Sequence, residues 1–266
     1  MSVIALRNAT KRFPGTGGAP HTAVRDLTFT VDAGEFVAVV GPTGCGKSTT
    51  LSLISGLEPP SSGEVDVDGA PVRGIPAGVG YMFQTDAVLP WRSVLDNVAT
   101  GPRYRGIAKD EARKRAMVWV ERVGLGAFAK YYPHQLSGGM RKRVALAQTL
   151  VNQPQIMLMD EPFSALDVQT RALMQDELLR LWHGTGAAVV FVTHDLEESI
   201  ALADRVIVMT SSPATVKASF DVPLERPRTV EEVRLTSKFL EIYREIWDSL
   251  REEVVRSREE AMRSAG

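Results

Sequence analysis

Nine consecutive residues, Gly41-Pro42-Thr43-Gly44-Cys45-Gly46-Lys47-Ser48-Thr49, follow the pattern G-x-x-x-x-G-K-S/T, the spacing of a loop that cradles phosphate. Glycines in those places let successive backbone N–H groups turn toward phosphate oxygens, and a helix beginning at the loop's end aims its positive pole at the same spot. Lys47 is suited to neutralising β- and γ-phosphate charge, and the Ser48 hydroxyl to ligating Mg2+. A second pair, Asp160-Glu161, ends the apolar run Ile156-Met157-Leu158-Met159. A carboxylate at the end of a buried strand, such as Asp160, suits a Mg2+ position beside a phosphate loop. Its neighbour Glu161 points elsewhere on the pleat, where it could polarise an attacking water. These residue types share one chemistry, phosphoryl transfer from a bound nucleotide.

Both clusters need rigid supports. The loop lies between Phe36-Val37-Ala38-Val39-Val40 and Thr50-Leu51-Ser52-Leu53-Ile54, which reads as strand, loop, helix. Further strands are expected at 3–6, 27–31, 64–69, 79–83, 156–159, 188–192 and 205–209, with a turn-rich loop between Pro14 and Pro20 and a tight turn at Asp32-Ala33-Gly34. Apolar strands alternating with helices predict an α/β protein with a parallel sheet covered on both faces. Residues 94–129 change to charged, helically periodic sequence without a strand signal. They predict a helical subdomain of about residues 86–140 inserted into the α/β body. In the tail, Val233, Leu240, Tyr243, Trp247, Leu250 and Val254 recur at spacings that put them on one helical face. That face has two readings: a terminal helix docked on its own domain, or one that binds a partner or stabilises a dimer.

At 266 residues, 44% hydrophobic and 24% charged, the chain has the composition of an ordinary globular protein long enough for a sizeable core. A formal net charge of -1 gives no support to nucleic-acid binding, and none is expected. The single cysteine, Cys45, excludes an intrachain disulfide. No apolar run approaches the roughly 18 residues of a membrane span, and the start Met1-Ser2-Val3-Ile4-Ala5-Leu6-Arg7 is too short for the apolar core of a signal peptide. The expectation is a protein on the cytoplasmic side that reaches a membrane only through partners.

The order of motifs adds specificity. Leu136-Ser137-Gly138-Gly139-Met140 precedes the acidic pair, which continues as Asp160-Glu161-Pro162-Phe163-Ser164-Ala165-Leu166-Asp167, and Thr193-His194-Asp195 follows the last buried run. This set resembles the nucleotide-binding subunit of ATP-binding cassette (ABC) transporters over about residues 3–212. The resemblance implies a P-loop NTPase of the ABC-ATPase fold: a mainly parallel sheet core, an N-terminal antiparallel β subdomain and the inserted helical subdomain. It implies an ATP-binding domain over 1–222 and a C-terminal amphipathic helical extension over 223–266.

The implied cofactors are ATP and Mg2+. Residues 41–49 would bind the nucleotide, with Lys47 also counted as catalytic. Ser48, Gln84 and Asp160 would hold the metal, Glu161 would be the general base, and His194 would reach the γ-phosphate. Gln84 would also contact the attacking water and link the site to a transmembrane partner. Phe13 falls where the family stacks an aromatic on adenine; core packing is an equal reading for it. Ser137, Gly138, Gly139 and Met140 would cover the γ-phosphate of the opposite subunit, so hydrolysis would need a head-to-tail homodimer with ATP between the chains. Asp167 lies where the family's dimer-contact loop runs. His21, His134 and His183 have no such context.

Two residues depart from the family pattern. Met140 stands where glutamine is common and Lys142 where another glutamine is frequent. Neither carries the phosphate-contacting donors, so the site is expected to be active. Trp91 in Leu89-Pro90-Trp91-Arg92-Ser93, the Ser137-Gly138-Gly139-Met140 signature and the ending Pro223-Leu224-Glu225-Arg226-Pro227-Arg228 resemble the ATPases of nitrate/sulfonate/taurine importers. That likeness implies two copies beneath transmembrane permease subunits, fed by an extracytoplasmic solute-binding protein, with the segment after Gln84 receiving the permease. The alternatives are another importer subfamily or a soluble, non-transport ABC ATPase.

Overall fold

The computed structural model describes residues 1–15 and 20–264. Its strands are β1 (Ser2–Phe13), β2 (His21–Asp32), β3 (Phe36–Val40), β4 (Ser62–Val67), β5 (Ala70–Pro71), β6 (Val79–Met82), β7 (Ile156–Asp160), β8 (Ala188–Val192), β9 (Arg205–Met209) and β10 (Val216–Asp221). The helices are α1 (Lys47–Ile54), α2 (Val94–Val98), α3 (Thr100–Tyr104), α4 (Lys109–Arg122), α5 (Gly138–Leu150), α6 (Val168–Trp182), α7 (Leu196–Leu202), α8 (Val230–Arg234) and α9 (Ser237–Ser264). They form two compact units, one of residues 1–77 and 188–266 and one of residues 78–187. Most of the turn-rich loop expected between Pro14 and Pro20, residues 16–19, lies outside the described residues.

In the first unit β2, β1, β4 and β5 make an antiparallel sheet. A second set is built on β3, which pairs in parallel with both β8 and β9, while β10 adds antiparallel to β9. Every residue of β3 and β8 is buried. Such continuous apolar runs suit parallel strands covered on both faces. Rings of Phe36 and Phe191 meet between these two strands at 5.8 Å. The turn at residues 32–34 launches β3: Glu35 N–H donates to Asp32 O at 3.1 Å, and the Asp204 carboxylate accepts from Phe36 N–H at 2.9 Å. Strand β10 has no counterpart among the expected strands, since only Val216 and Phe220 of its residues are large and apolar.

The second unit pairs β6 with β7 in parallel, lays α5 on β6, and packs α2, α4 and α6 against α5. Helix α4 buries Ala112, Ala116, Trp119 and Val120, spaced as one stripe of an amphipathic helix. Helix α5 lies close on β6 at Gly80, where a Cβ would come within 2.8 Å of the Thr149 side chain.

The tail helix corrects the expected stripe. Helix α9 packs on α7, β9 and β10 of its own unit through Phe239, Ile242, Ile246 and Leu250, whereas Leu240 and Trp247 are exposed. Of the expected stripe Leu250 is buried, Tyr243 and Val254 are half-buried, and Val233 is buried on the separate helix α8. Apolar residues occupy two adjacent faces of α9, and the docked face only partly coincides with the stripe that spacing selects. The buried face also carries Glu253, 6% exposed, which accepts from Ser211 N–H at 2.9 Å and lies 3.0 Å from the Lys217 ammonium. Burial favours the neutral acid, but the Ser211 N–H and Lys217 outweigh it and hold the Glu253 carboxyl below its usual range. A carboxylate depressed in the folded state stabilises above its unfolded pKa, and that contribution is lost as pH falls through the folded value. Glu253→Ala is therefore expected to cost about 1–3 kcal/mol at neutral pH, lowering Tm by about 2–4 °C per kcal/mol. The gap from the unmodified protein should narrow in acid, which thermal melts across a pH series measure directly.

Candidate functional site

In the first unit the adjacent parallel strands β3 and β8 end side by side, Thr193 N–H donating to Val39 O at 3.2 Å. Ligands of open parallel sheets bind at the carboxyl ends of strands. The phosphate loop leaves β3 there, and His194 leaves β8. Gly46 has φ 129°, and a Cβ on it would lie 2.8 Å from both the Ala23 carbonyl oxygen and a Val24 methyl. Glycine alone fits, because the loop backbone runs against β2. Gly46 also precedes α1 without capping it by a side chain, and the start of a helix is the end that favours an anion.

Lys47 is 5% exposed, and its ammonium donates to Gly41 O and Pro42 O, both at 2.9 Å. Its charge is thus held inside the loop among main-chain carbonyls. Among the described residues no carboxylate forms an ion pair with it. A glycine cradle, an uncapped helix start and a buried ammonium form a donor set that fits a polyphosphate. Thr43, Gly44 and Ser48 are exposed along the loop and Thr49 is half-buried. His194 is exposed too, in a turn fixed by its neighbours: Thr193 Oγ1 donates to Glu198, Asp195 N–H donates to Thr193 Oγ1 at 3.0 Å, and Asp195 caps α7. Phe13 is half-exposed, with the Lys11 ammonium 5.1 Å from its ring centroid.

In the second unit the ends of β6 and β7 carry Gln84, Asp160 and Glu161. The Gln84 side-chain amide donates to Glu161 Oε2 at 3.3 Å. Glu161 sits at φ 42°, in the left-handed region. A non-glycine residue there stores strain of the kind concentrated at functional sites. Burial and the charge of Asp160 both push the Tyr81 phenol above its ordinary range, so the field of Asp160 is felt across the strand pair. Ser137 is exposed and caps the 13-residue α5, its Oγ accepting from Met140 N–H at 3.3 Å. Gly139 packs tightly, since a Cβ would lie 2.7 Å from Thr170. Asp167 caps α6, and the Thr170 N–H holds its carboxyl below the usual range. Among the described residues no group of three or more His, Cys, Asp or Glu could hold a metal ion.

Two residues, Asn97 and Lys142, gain contacts that sequence reasoning did not assign. Asn97, fully buried, accepts from Leu89 N–H and donates to Leu89 O, Arg92 O and Ser93 O, fixing the loop that presents the exposed Trp91. Lys142, 3% exposed, reaches the Gln84 carbonyl and the Asp86 carboxylate, each at 2.9 Å. The available signal was its position: a lysine one helical turn before buried Leu146 faces inward and needs an acid.

A family model described as ABC transporter matches residues 24–164. The chain is 44% identical over 254 residues to an uncharacterized ABC transporter ATP-binding protein of Methanocaldococcus jannaschii, covering 96% of this chain and 93% of that protein. It is 41% identical over 239 residues to the taurine import ATP-binding protein of Burkholderia pseudomallei, covering 90% of this chain and 92% of that one. A solved dimeric ATP-binding cassette in a post-hydrolysis state, bound to ADP and Pi, matches with a TM-score of 0.73 at 31% identity, covering 84% of this chain and 100% of that chain.

Cys45 reports on the loop. It is 1% exposed, and burial, against the opposing pull of Lys47, raises its thiol above the ordinary value. Little thiolate forms at neutral pH, so maleimide labelling should be slow and should accelerate as pH rises. Saturating ATP should slow it further, and labelled protein should lose ATP binding. Equal labelling rates with and without nucleotide would contradict this placement.

Proposed function

The chain belongs to the ABC transporter family as an ATP-binding, ATP-hydrolysing subunit, and from that membership we propose that it powers import of a small anion-type solute such as taurine, another sulfonate or nitrate. The proposed assembly is a homodimer with ATP at its interface, peripheral to the cytoplasmic face of a membrane. It would join transmembrane permease subunits and be served by an extracytoplasmic solute-binding protein. The name of the Burkholderia relative supports the solute class. Among the described residues no helix is long and apolar enough to cross a membrane, and the proposal assigns the crossing to the permease. A groove of about 210 Å³ supports permease docking; Tyr81, Phe83, Ala87, Ala145 and Gln148 line it, with the Tyr81 and Phe83 rings stacked at 4.2 Å.

Residues 41–49 bind the triphosphate in this reading, with Lys47 neutralising β/γ charge and Phe13 offered to adenine. Ser48, Gln84 and Asp160 are the proposed protein ligands of Mg2+, an ion that keeps few protein ligands and takes others from substrate phosphates. When bound, it neutralises charge on the transferring group. Glu161 takes the proton of the attacking water, Gln84 orients that water, and His194 contacts the γ-phosphate. Ser137, Gly138, Gly139 and Met140 meet the γ-phosphate of the other copy.

The observation that carries the proposal is the Gln84 to Glu161 hydrogen bond at the ends of paired parallel strands, with Glu161 held in a strained backbone conformation. It puts a candidate base and a water-orienting amide within reach of each other. Glu161→Gln should bind ATP with near-native affinity, accumulate as an ATP-bound dimer and lose about 100-fold or more in kcat. Turnover at the unmodified rate would remove Glu161 from the base role.

A further inference from the structure

Lys142 occupies a position that hydrolysis by itself does not explain. It lies on the buried side of α5, and a buried ammonium is costly unless paired and hydrogen-bonded. Its ammonium lies 2.9 Å from Asp86 Oδ1, a contact of opposite charges, and donates to the Gln84 backbone carbonyl at 2.9 Å. The neighbouring Arg141 is 3.5 Å from the other carboxylate oxygen of Asp86, and its guanidinium also donates to Leu136 O at 2.7 Å. Two successive cations of α5 thus grip Asp86 on the segment just after β6. One holds Gln84 itself, and the other holds the residue preceding Ser137. On the far side of this grip the Gln84 amide reaches Glu161 at 3.3 Å.

We propose that Lys142, together with Asp86, is a positioning residue for hydrolysis: it fixes the backbone of Gln84 so that the amide stays within reach of Glu161, and it does so from the helix that begins at Ser137. The proposal rests on the reading of Glu161 and Gln84 given above. A glutamine at position 142 could donate to the Gln84 carbonyl but could not pair with Asp86. The lysine therefore adds a charge lock to a hydrogen bond. Because the same helix starts at the Ser137 turn, a displacement of that turn moves the anchor of Gln84 with it.

Replacing both members of a buried ion pair by neutral groups is often harmless to stability, whereas stranding one is not. The informative variant is therefore Lys142→Met with Asp86→Asn, assayed for Tm, ATP affinity, and kcat per ATP-binding site. The expected result is a folded protein that binds ATP within about threefold of the unmodified affinity, while kcat falls about 10- to 100-fold through loss of alignment. If that variant does not fold, Lys142→Gln, with a neutral donor of shorter reach, should show the same split to a smaller degree. An unchanged kcat per site overturns the proposal. So does a loss of kcat matched by an equal loss of ATP affinity, because a purely structural role would move both. Glu161→Gln run in parallel separates the two layers. If it turns over normally, the reading of the site fails; if it is inactive while the double variant keeps its kcat, only the role of Lys142 and Asp86 fails.

Discussion

A strand buried on both faces cannot carry polar chemistry along its length, because each unpaired polar group placed there would cost several kcal/mol. In β3, β8 and the first four residues of β7 every side chain is buried. Polar function is consequently displaced to the carboxyl ends of these strands, where the chain leaves the sheet and meets water. The phosphate loop, His194, Asp160 and Glu161 all sit at such ends, and Gln84 follows the half-buried β6 that pairs with β7. Ser48, Gln84 and His194 are accordingly exposed and Asp160 and Glu161 half-buried, whereas Lys47 is buried within its own loop.

Those supports are mostly backbone and short side chains. Gly46 lets the loop run against β2, Thr193 and Asp195 fix the turn that carries His194, and Asn97 spends its whole amide on the loop behind Trp91. Lys47 is held by carbonyls of its own loop rather than by an acid. Among the described residues, then, a polyanion entering the loop has no ion pair of Lys47 to break. Lys142 has the opposite arrangement, with a full carboxylate partner, as expected of a charge that holds structure in place.

Much of this was legible in the sequence. Continuous apolar runs announced β3, β7, β8 and β9, and glycine spacing announced the loop. Other features were hidden for physical reasons. Strand β10 joins its sheet through backbone pairing with β9 and has few apolar side chains to signal it. Helix α9 offers two apolar faces, and the choice between them depends on what α7 and β9 present. The partners of Lys142 and Glu253 lie 56 and 42 residues away along the chain, a separation that periodicity does not encode. Local pattern thus gave the strands and the loop, while long-range pairing of buried charges appeared only in three dimensions.

The central claim is that nucleotide is gripped by the Lys47 loop of one copy and the Ser137 turn of another. Mixing a Lys47→Ala chain with a Ser137→Arg chain tests it, since a mixed dimer contains one site in which both grips are intact. Sedimentation with labelled ATP should show neither variant forming a nucleotide-bound dimer alone, and the mixture forming one that holds a single ATP per two chains. A Ser137→Arg chain that traps ATP in a dimer without help, or a mixture that gains nothing over its components, would contradict the account.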